Sequence, residues 1–393
     1  MVIPTKKRVA EANKVKSPKE IYSLLIDGNN LLKISLVKKE VNSDGYDYGA
    51  VINFFTMLGR ILSKKDFNYC TVCWDGPNSG ILRYNIYKDY KANRGKRYDL
   101  YETATAYDKS ISDFVKRTLA YSKAKKSGKQ TVREETEDES FDRQKYVIQT
   151  ILEELCIRQY EFDDVEGDDL VSYYTKVKDE NEKVVVVSSD KDLTQLINDK
   201  VIIYNPRSKD FITKENAVKV LGIRHDNIVL EKVLCGDNSD NIKGIKGVGE
   251  TSLVKAFPEL MERPLDIDYI IGRSKEILEE RKAAKKKPLL MLENIVNRVT
   301  DGIQGGDIYD VNSKIIDLSV PLLTEEAFET LKESMYAPID TTERNVKNIY
   351  EIVRDEKIES LYDENKFSEV FSPYSRIIMM ENKRFSEYNN KKK

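Results

Sequence analysis

Carboxylate side chains are the residues of this 393-residue chain whose positions could do chemistry. Asp27, Asp75 and Asp190 each follow a run of apolar residues with the composition of a buried strand. Further acids begin or follow predicted helices, in the clusters Glu166-Gly167-Asp168-Asp169, Asp190-Lys191-Asp192 and Asp237-Asn238-Ser239-Asp240. In a parallel sheet the carboxyl ends of the strands share one edge, where open α/β folds bind their ligands. We therefore expect these acids to meet at that edge.

Carboxylates packed together repel one another and raise one another's pKa unless a cation neutralises them. Oxygen ligands without histidine or cysteine favour Mg²⁺ or Mn²⁺ over Zn²⁺. Two such ions about 4 Å apart can hold the attacking water and the leaving oxygen of a phosphodiester in line. The alternative for any single cluster is helix capping, in which an aspartate satisfies free N–H groups at a helix start. Convergence of several clusters favours a metal centre, and phosphodiester hydrolysis is the chemistry that such a centre predicts.

Other kinds of catalytic centre find little support in the sequence. His225 is the single histidine, which argues against histidine-rich zinc sites and against a Ser-His-Asp triad. Cys70 and Cys73 lie on a predicted strand, where side chains three residues apart face opposite sides, so we expect buried, reduced cysteines. The glycines from Gly244 to Gly249 resemble a dinucleotide-binding fingerprint, but they follow a predicted helix rather than a strand.

Charge is balanced over the chain but strongly segregated along it. The 65 Lys and Arg and 67 Asp and Glu give a net charge of −2. Basic blocks span 6–19, 83–97 and 109–129, whereas acid is concentrated in 134–142 and 161–169. Segregated charge is typical of nucleic-acid-binding proteins but also of ordinary solvated surfaces. The sequence has no run of about 18 apolar residues and no apolar stretch near its start, so we expect a cytoplasmic protein.

Strands and helices alternate in the first half of the chain, which predicts an α/β fold with a mostly parallel central sheet flanked by helices. The predicted strands are 21–27, 69–74, 183–189 and 201–204. The run from Val184 to Val187 is typical of a strand buried on both faces. The predicted regions are a flexible basic tail at 1–20, an α/β core at 21–213 with an insertion at about 94–141, a helical region at 214–310, and a C-terminal helical region with a basic tail at 311–393.

The acidic motifs occur in the order and spacing of the flap endonuclease and 5′ nuclease family, which this sequence resembles. The motifs are Ile26-Asp27-Gly28-Asn29-Asn30, Val165-Glu166-Gly167-Asp168-Asp169, Ser189-Asp190-Lys191-Asp192 and Gly236-Asp237-Asn238-Ser239-Asp240. The segment Tyr90-Lys91-Ala92-Asn93-Arg94 is most similar to bacteriophage members, including the phage ribonuclease H type. The resemblance covers about 21–257 and implies a PIN-like nuclease core, a helical arch at the 94–141 insertion, and a helix-three-turn-helix that binds duplex DNA at 214–310.

The resemblance also implies the ligands of two Mg²⁺ or Mn²⁺ ions. Four acids match the first metal site: Asp27, Asp75, Glu166 and Asp168. Three match the second, Asp190, Asp192 and Asp237, and two lie farther out, Asp169 and Asp240. A K⁺ site at the helix-three-turn-helix is implied as well.

The positions that match nucleic-acid contacts are basic residues, one tyrosine and the glycine turn. Lys91 and Arg94 match a pair that acts on the scissile phosphate, and Tyr90 is placed to stack on a base. Lys232 matches a basic position near the metals. The turn that follows is expected to bring backbone N–H groups and lysines to duplex phosphates, through Lys243, Gly244, Lys246, Gly247 and Gly249.

The expected activity is that of a structure-specific 5′ nuclease, both flap endonuclease and 5′ to 3′ exonuclease, acting in DNA replication or repair. Expected partners are DNA with a 5′ flap or 5′ end, an RNA:DNA hybrid, and a single-strand-binding protein or sliding clamp. We expect a monomer, in the host cytoplasm if the chain is phage-encoded. Two alternatives remain: a noncatalytic nucleic-acid-binding protein of the same fold, and an α/β metal phosphatase acting on small molecules.

Overall fold

The computed structural model describes residues 20–94, 136–300 and 308–392. The main sheet contains β1 (Ile21–Asp27), β2 (Tyr69–Cys73), β3 (Arg158–Tyr160), β4 (Glu182–Val187), β5 (Val201–Asn205) and β6 (Asp210–Ile212). Their order across the sheet is β3-β2-β1-β4-β5-β6, and only the last pair is antiparallel. The prediction of a mostly parallel α/β sheet is confirmed.

The register of the central strands aligns their carboxyl ends. Asp27 pairs with Cys73 of β2, and Ile26 pairs with Val187 of β4. The four valines of β4 are almost fully buried, as their unbroken apolar run predicted. Residues just beyond β1, β2 and β4 therefore lie side by side at one edge, which we call the carboxyl edge.

Helices in the first half of the chain flank this sheet. They are α1 (Gly28–Ser35), α2 (Gly49–Leu62), α3 (Ile81–Ile86), α4 (Glu137–Glu154) and α5 (Gly167–Val177). Helices α1 and α2 bury Leu31 and Phe55 in one apolar cluster, and α5 buries Leu170 in another that contains the opposite faces of β1 and β4. The sheet thus has an apolar layer on each face.

The middle of the chain forms a helical region with its own core. Its helices are α6 (Ala217–Leu221), α7 (Ile228–Cys235), α8 (Glu250–Ala256), α9 (Ile267–Ala283) and α10 (Leu290–Asn297). Between α7 and α8 the chain makes a short hairpin of β7 (Gly236–Asp237) and β8 (Ile242–Lys243). Tyr87 and Tyr90 also lie in this apolar cluster, so the segment after β2 packs against the helical region.

The C-terminal helices return to the sheet. They are α11 (Ile308–Ile316), α12 (Glu325–Ser334), α13 (Val346–Asp355), α14 (Glu364–Phe371) and α15 (Ser375–Lys392). Leu331 packs in the cluster with α5, whereas Val353 and Tyr374 pack in the cluster with α2. The Tyr374 hydroxyl donates a hydrogen bond to the carbonyl oxygen of Phe55 at 2.7 Å. The C-terminal region therefore covers both faces of the sheet.

Within the described ranges, no helix has the length and apolar character needed to cross a membrane. The predicted basic tail (1–20) lies almost entirely outside those ranges, as does the centre of the predicted arch (95–135).

Candidate active site at the carboxyl edge

Asp27 is the last residue of β1 and connects two elements at the carboxyl edge. Its Oδ1 accepts a hydrogen bond from the backbone N–H of Asn30 at 3.0 Å, which caps α1. Its Oδ2 accepts from the hydroxyl of Ser188, just after β4, at 2.9 Å. The helix-capping alternative is thus correct for one oxygen of Asp27, while the other faces the neighbouring strand.

Asp75 lies two residues beyond β2 and ties it to two helices. Its Oδ1 accepts from the backbone N–H of Gly167 at 2.8 Å, and its Oδ2 accepts from the Asn29 side chain at 2.8 Å. A β-carbon at Gly28 would lie 2.5 Å from Trp74, so only glycine lets α1 begin this close to β2. These contacts place the start of α5, with Glu166 and Asp168, next to the ends of β1 and β2.

These acids lie close enough to raise one another's pKa. Burial raises the pKa of Asp27 to about 7, and the Asp75 carboxylate adds to the effect. Burial also raises the pKa of Asp168 well above its ordinary value, with contributions from Asp27, Asp190 and Asp75. Buried carboxylates in this relationship have the donor chemistry of a divalent-cation site. In the described part of the chain, however, no three His, Cys, Asp or Glu side chains stand close enough to hold an ion as arranged.

Glu166 has two cationic partners in this structure. Arg83 Nη1 lies 2.7 Å from Glu166 Oε2, and the Lys91 ammonium pairs with the other oxygen. Burial alone would raise the pKa of Glu166, but Arg83 and then Lys91 outweigh it and hold this pKa below its ordinary value. Glu166 is therefore ionised and neutralised by the protein itself.

Asp169, which was expected to lie farther out from the metals, pairs with Arg83, and its relation to bound metal stays a prediction. Arg83 binds both of its oxygens, with Nη1 2.5 Å from Oδ2 and Nη2 3.0 Å from Oδ1, and the backbone N–H of Leu322 donates to Oδ1 at 2.9 Å. Asp169 is 1% exposed. It is a buried counterion for Arg83, and Arg83 in turn holds Glu166. Acids adjacent in sequence at a helix start point in different directions, which the motif alone did not reveal.

Tyr90 is a buried residue in this structure, and its predicted stacking on a base stays a prediction. The residue is 2% exposed, and its hydroxyl donates to Glu166 Oε2 at 3.0 Å and to Asp240 Oδ2 at 3.2 Å. The backbone N–H of Lys91 donates to the carbonyl oxygen of Asp240 at 2.8 Å. Tyr90 and Lys91 therefore connect Glu166 with the loop that carries Asp240.

A second group of acids surrounds Lys232 of α7. Its ammonium pairs with Asp192 and lies 2.6 Å from Asp237 Oδ2. Burial and the Asp190 carboxylate together raise the pKa of Asp192 to about 7. They outweigh Lys232, which lowers this pKa. Burial would also raise the pKa of Asp237, but hydrogen bonds from Lys232 and Ser239 lower it to about 2. Lys232 thus lies among the carboxylates, and its position near bound metals stays a prediction.

The glycine turn between β8 and α8 presents an exposed basic surface. Lys243, Lys246, Gly247 and Gly249 are exposed. Gly247 has a φ of +77°, and nothing lies within 4 Å of the position of a β-carbon there. Gly244 has a different role, since a β-carbon would lie 2.4 Å from the backbone nitrogen of Gly236. Gly244 permits the close approach of two backbone segments, and all five residues remain predicted phosphate contacts.

Arg83 is the site residue that sequence reasoning missed. It stands at the start of the basic block 83–97, which suggested a solvated face, yet it is 5% exposed. Its Nε also donates to the carbonyl oxygen of Ile315 in α11 at 2.9 Å. No spacing signal distinguishes it from its basic neighbours. For Arg94 the structure gives the backbone, in a short 3-10 helix from Ala92, and its predicted role stays a prediction.

The chain is similar to known proteins in sequence and in fold. The family described as 5′-3′ exonuclease, N-terminal resolvase-like domain, matches residues 22–222, about half the chain. The chain is 25% identical over 303 residues to a 5′-3′ exonuclease of Aquifex aeolicus, covering 74% of this chain and 89% of that one. It is 26% identical over 355 residues to DNA polymerase I of Bacillus subtilis, but spans 35% of that polymerase.

Among solved structures, the fold is similar to that of the bacteriophage T5 flap endonuclease, determined in a complex with DNA and metal ions. The TM-score is 0.50 and the identity 17%, covering 85% of this chain and 99% of that one. This likeness concerns the fold.

Proposed function

The chain belongs to the 5′-3′ exonuclease family with a resolvase-like N-terminal domain, and from that membership we propose that it hydrolyses phosphodiesters at 5′ ends and 5′ flaps with two divalent cations. The observation that carries the metal dependence is the convergence of buried carboxylates at the carboxyl edge. The pKa of Asp27 and that of Asp168 are raised by burial and by their acidic neighbours. A noncatalytic binding protein would have no physical need for such a costly arrangement.

The acids divide into two sets in this proposal. Asp27, Asp75, Glu166 and Asp168 would hold one Mg²⁺ or Mn²⁺, and Asp190, Asp192 and Asp237 the other. When bound, the ions lower the pKa of the attacking water and neutralise charge on the phosphate oxygens. Asp240, beside the Tyr90 hydroxyl, would support Glu166 through that tyrosine.

Lys91 would act on the phosphate. In the structure its ammonium neutralises Glu166, at the carboxyl edge where a phosphodiester must lie. A cationic donor that leaves Glu166 can hydrogen-bond a phosphate oxygen as negative charge builds there. Arg94, three residues along the same segment, would do the same. The exposed lysines Lys243 and Lys246 would hold the duplex by its backbone, without sequence preference.

The structure of the nucleic-acid substrate is also part of the proposal. DNA with a 5′ flap or 5′ end is favoured, because the T5 enzyme of the same fold is a flap endonuclease solved with DNA, and an RNA:DNA hybrid is included for RNA primers. Such substrates arise during DNA replication and repair, and we place the activity in one of these processes in the cytoplasm. A K⁺ ion at the glycine turn, and a single-strand-binding protein or clamp as partner, complete the proposal.

A labelled 5′-flap duplex tests the proposed activity. We expect cleavage near the flap junction in Mg²⁺ and none in EDTA. Asp190→Asn should not cleave, whereas the matched control Asp210→Asn, at an exposed position on β6, should cleave normally. Absence of cleavage by the wild-type protein in both Mg²⁺ and Mn²⁺, with flap binding intact, would overturn the enzyme and support the noncatalytic alternative.

A further inference from the structure

In the second group of acids, two neighbouring loop residues of opposite charge pair with two neighbouring helix residues of opposite charge. Lys191 and Asp192 stand at the carboxyl edge after β4, and Glu231 and Lys232 stand on α7. Lys191 Nζ lies 2.8 Å from Glu231 Oε2, and Lys232 pairs with Asp192. The loop and the helix are therefore joined by two ion pairs of opposite polarity, side by side. We call these four residues the crossed ion pairs.

The Lys191–Glu231 pair is not an ordinary surface salt bridge. The Glu231 side chain is 3% exposed and the Lys191 side chain 28%, whereas exposed pairs contribute little to stability. Removing one partner of a buried pair leaves a charge without compensation, which costs much more. Loss of either partner alone should therefore be costly.

The alternation of sign favours this register between loop and helix, because only here does each ammonium meet a carboxylate. Sliding the loop by one residue would place Lys191 against Lys232, and two ammonium groups in contact repel. An apolar contact of the same area would hold the loop to α7 without selecting this register. Asp190 is held in the same loop, because its Oδ1 accepts a hydrogen bond from the backbone N–H of Asp192 at 2.9 Å.

Lys191 also reaches the helix after the glycine turn. Its ammonium lies 3.3 Å from an Oε1 of Glu250, the first residue of α8. Glu250 directly follows Gly249 of the predicted duplex-binding turn. One lysine side chain therefore joins the loop of Asp190 and Asp192 to α7 and to the start of α8.

We infer that Lys191 and Glu231 are positioning residues: they hold Asp190 and Asp192 in the register at which these carboxylates accept a divalent cation. The inference rests on the proposed function in one respect, namely that those two acids are metal ligands. Neither Lys191 nor Glu231 needs to touch metal or substrate. Groups that orient metal ligands typically change metal affinity by about 10 to 100-fold when they are removed.

The effect on metal affinity can be measured by titrating the full chain with Mn²⁺ in the absence of DNA. Electron paramagnetic resonance gives the concentration of free Mn²⁺. Lys191→Met should weaken one class of site by about 10 to 100-fold and leave the other class unchanged. Glu231→Gln should weaken the same class. Lys191→Arg, which keeps the charge, should retain most of the affinity. The matched control is Lys214→Met, which removes a lysine that forms an exposed pair with Asp199 at 2.9 Å, and it should bind as the wild type does.

The outcomes separate this inference from the proposed function. Wild-type protein that binds no Mn²⁺ would overturn the metal-dependent function itself. If the wild type shows two classes of Mn²⁺ site, and Lys191→Met and Glu231→Gln bind Mn²⁺ at both with the same affinity, the positioning role alone is overturned. If Lys191→Met does not fold, Glu231→Gln decides, because it keeps the shape of the side chain. On flap DNA, the Mg²⁺ concentration for half-maximal cleavage should rise in the same two variants.

Discussion

Lys91 pairs through its ammonium with Glu166, which is buried at the start of α5. The backbone N–H of the same lysine donates to the carbonyl oxygen of Asp240 at 2.8 Å, and its φ is +54°. A non-glycine residue in this left-handed region is uncommon and persists where surrounding contacts define it. At Lys91, the segment after β2 is therefore held against both Glu166 and the loop that carries Asp240.

Lys91→Ala should slow chemistry more than binding. By analogy with the loss of one donor to a transition-state oxyanion, single-turnover cleavage should fall by about 10² to 10³-fold. Flap affinity measured in Ca²⁺ should fall much less, because other phosphate contacts remain. The control Lys88→Ala removes a nearby lysine that lies 4.3 Å from the ring of Tyr84, and it should leave cleavage unchanged. Equal losses of affinity and cleavage, with a normal rate at saturating protein, would make Lys91 a binding residue only.

Asp75→Asn should abolish cleavage while duplex binding stays near normal. A neutral amide is a poor Mg²⁺ ligand, but it can still accept the hydrogen bond from the Gly167 N–H. Gel-shift affinity and single-turnover cleavage on the same flap measure both properties. Cleavage at the wild-type rate would remove Asp75 from the proposed metal site.

Asp27 should make the metal-free protein less stable as pH rises. Its pKa is raised from 3.8 to about 7, so the folded chain binds more protons than the unfolded chain between these values. The unfolding free energy contributed by this group is therefore present at low pH and is lost as pH rises towards about 7. In EDTA, Asp27→Asn should nearly match the wild type near pH 4 and exceed it by about 4 kcal/mol near pH 8, since each unit of pKa shift corresponds to about 1.4 kcal/mol.

Added Mg²⁺ should reverse that order at pH 8, because the ionised acids then gain a counterion. Urea unfolding at both pH values, with and without Mg²⁺, makes the measurement. A wild-type stability in EDTA that rises from pH 4 to pH 8 by as much as that of the variant would contradict the raised pKa.

Arg83→Met should destabilise the fold severely. Asp169 and Glu166 would lose a buried partner, which typically costs about 3 to 5 kcal/mol of unfolding free energy. Arg224→Met is the control, since its pair with Asp226 is about a quarter exposed and should contribute about 0 to 1 kcal/mol. Urea unfolding of both variants gives the comparison. Similar small losses in the two would show that Arg83 does not hold these acids.

Lys243→Ala and Lys246→Ala should each weaken duplex binding evenly across sequences. Each should lower the slope of log affinity against log salt by about one, as expected when one phosphate contact is lost. Binding of duplexes of different sequence over a range of NaCl measures this slope. Unchanged slopes in both variants would remove the glycine turn from the interface.

Strong periodic signals made much of the fold predictable. The apolar runs of β1, β2 and β4 specified buried parallel strands, and acids that follow such strands had to meet at one edge. Strand β3, Arg158–Tyr160, is short and polar, so neither its length nor its pattern indicated it. The packing of α12 to α15 on both faces of the sheet is a long-range choice that helical periodicity does not specify.

The partners of individual acids were less predictable than their position. Asp168 and Asp169 are adjacent in sequence, yet one faces the acidic cluster and the other faces Arg83. Tyr90 likewise stands in a basic motif but is buried. In each case the decisive partner is distant in sequence, and its approach depends on how whole elements pack. Residue type and spacing gave the chemistry of the site, and tertiary packing decided which side chains take part in it.

The hydrogen bond from Tyr374 to Phe55 has a consequence for synthesis. Helix α2 is made early, but the partner that closes its apolar surface lies 319 residues later in the chain. At translation rates of about 5 to 20 residues per second, that interval lasts about 16 to 64 s. During that interval the face of α2 that will contact Tyr374 lacks this partner, and it is available to chaperones that bind exposed apolar segments.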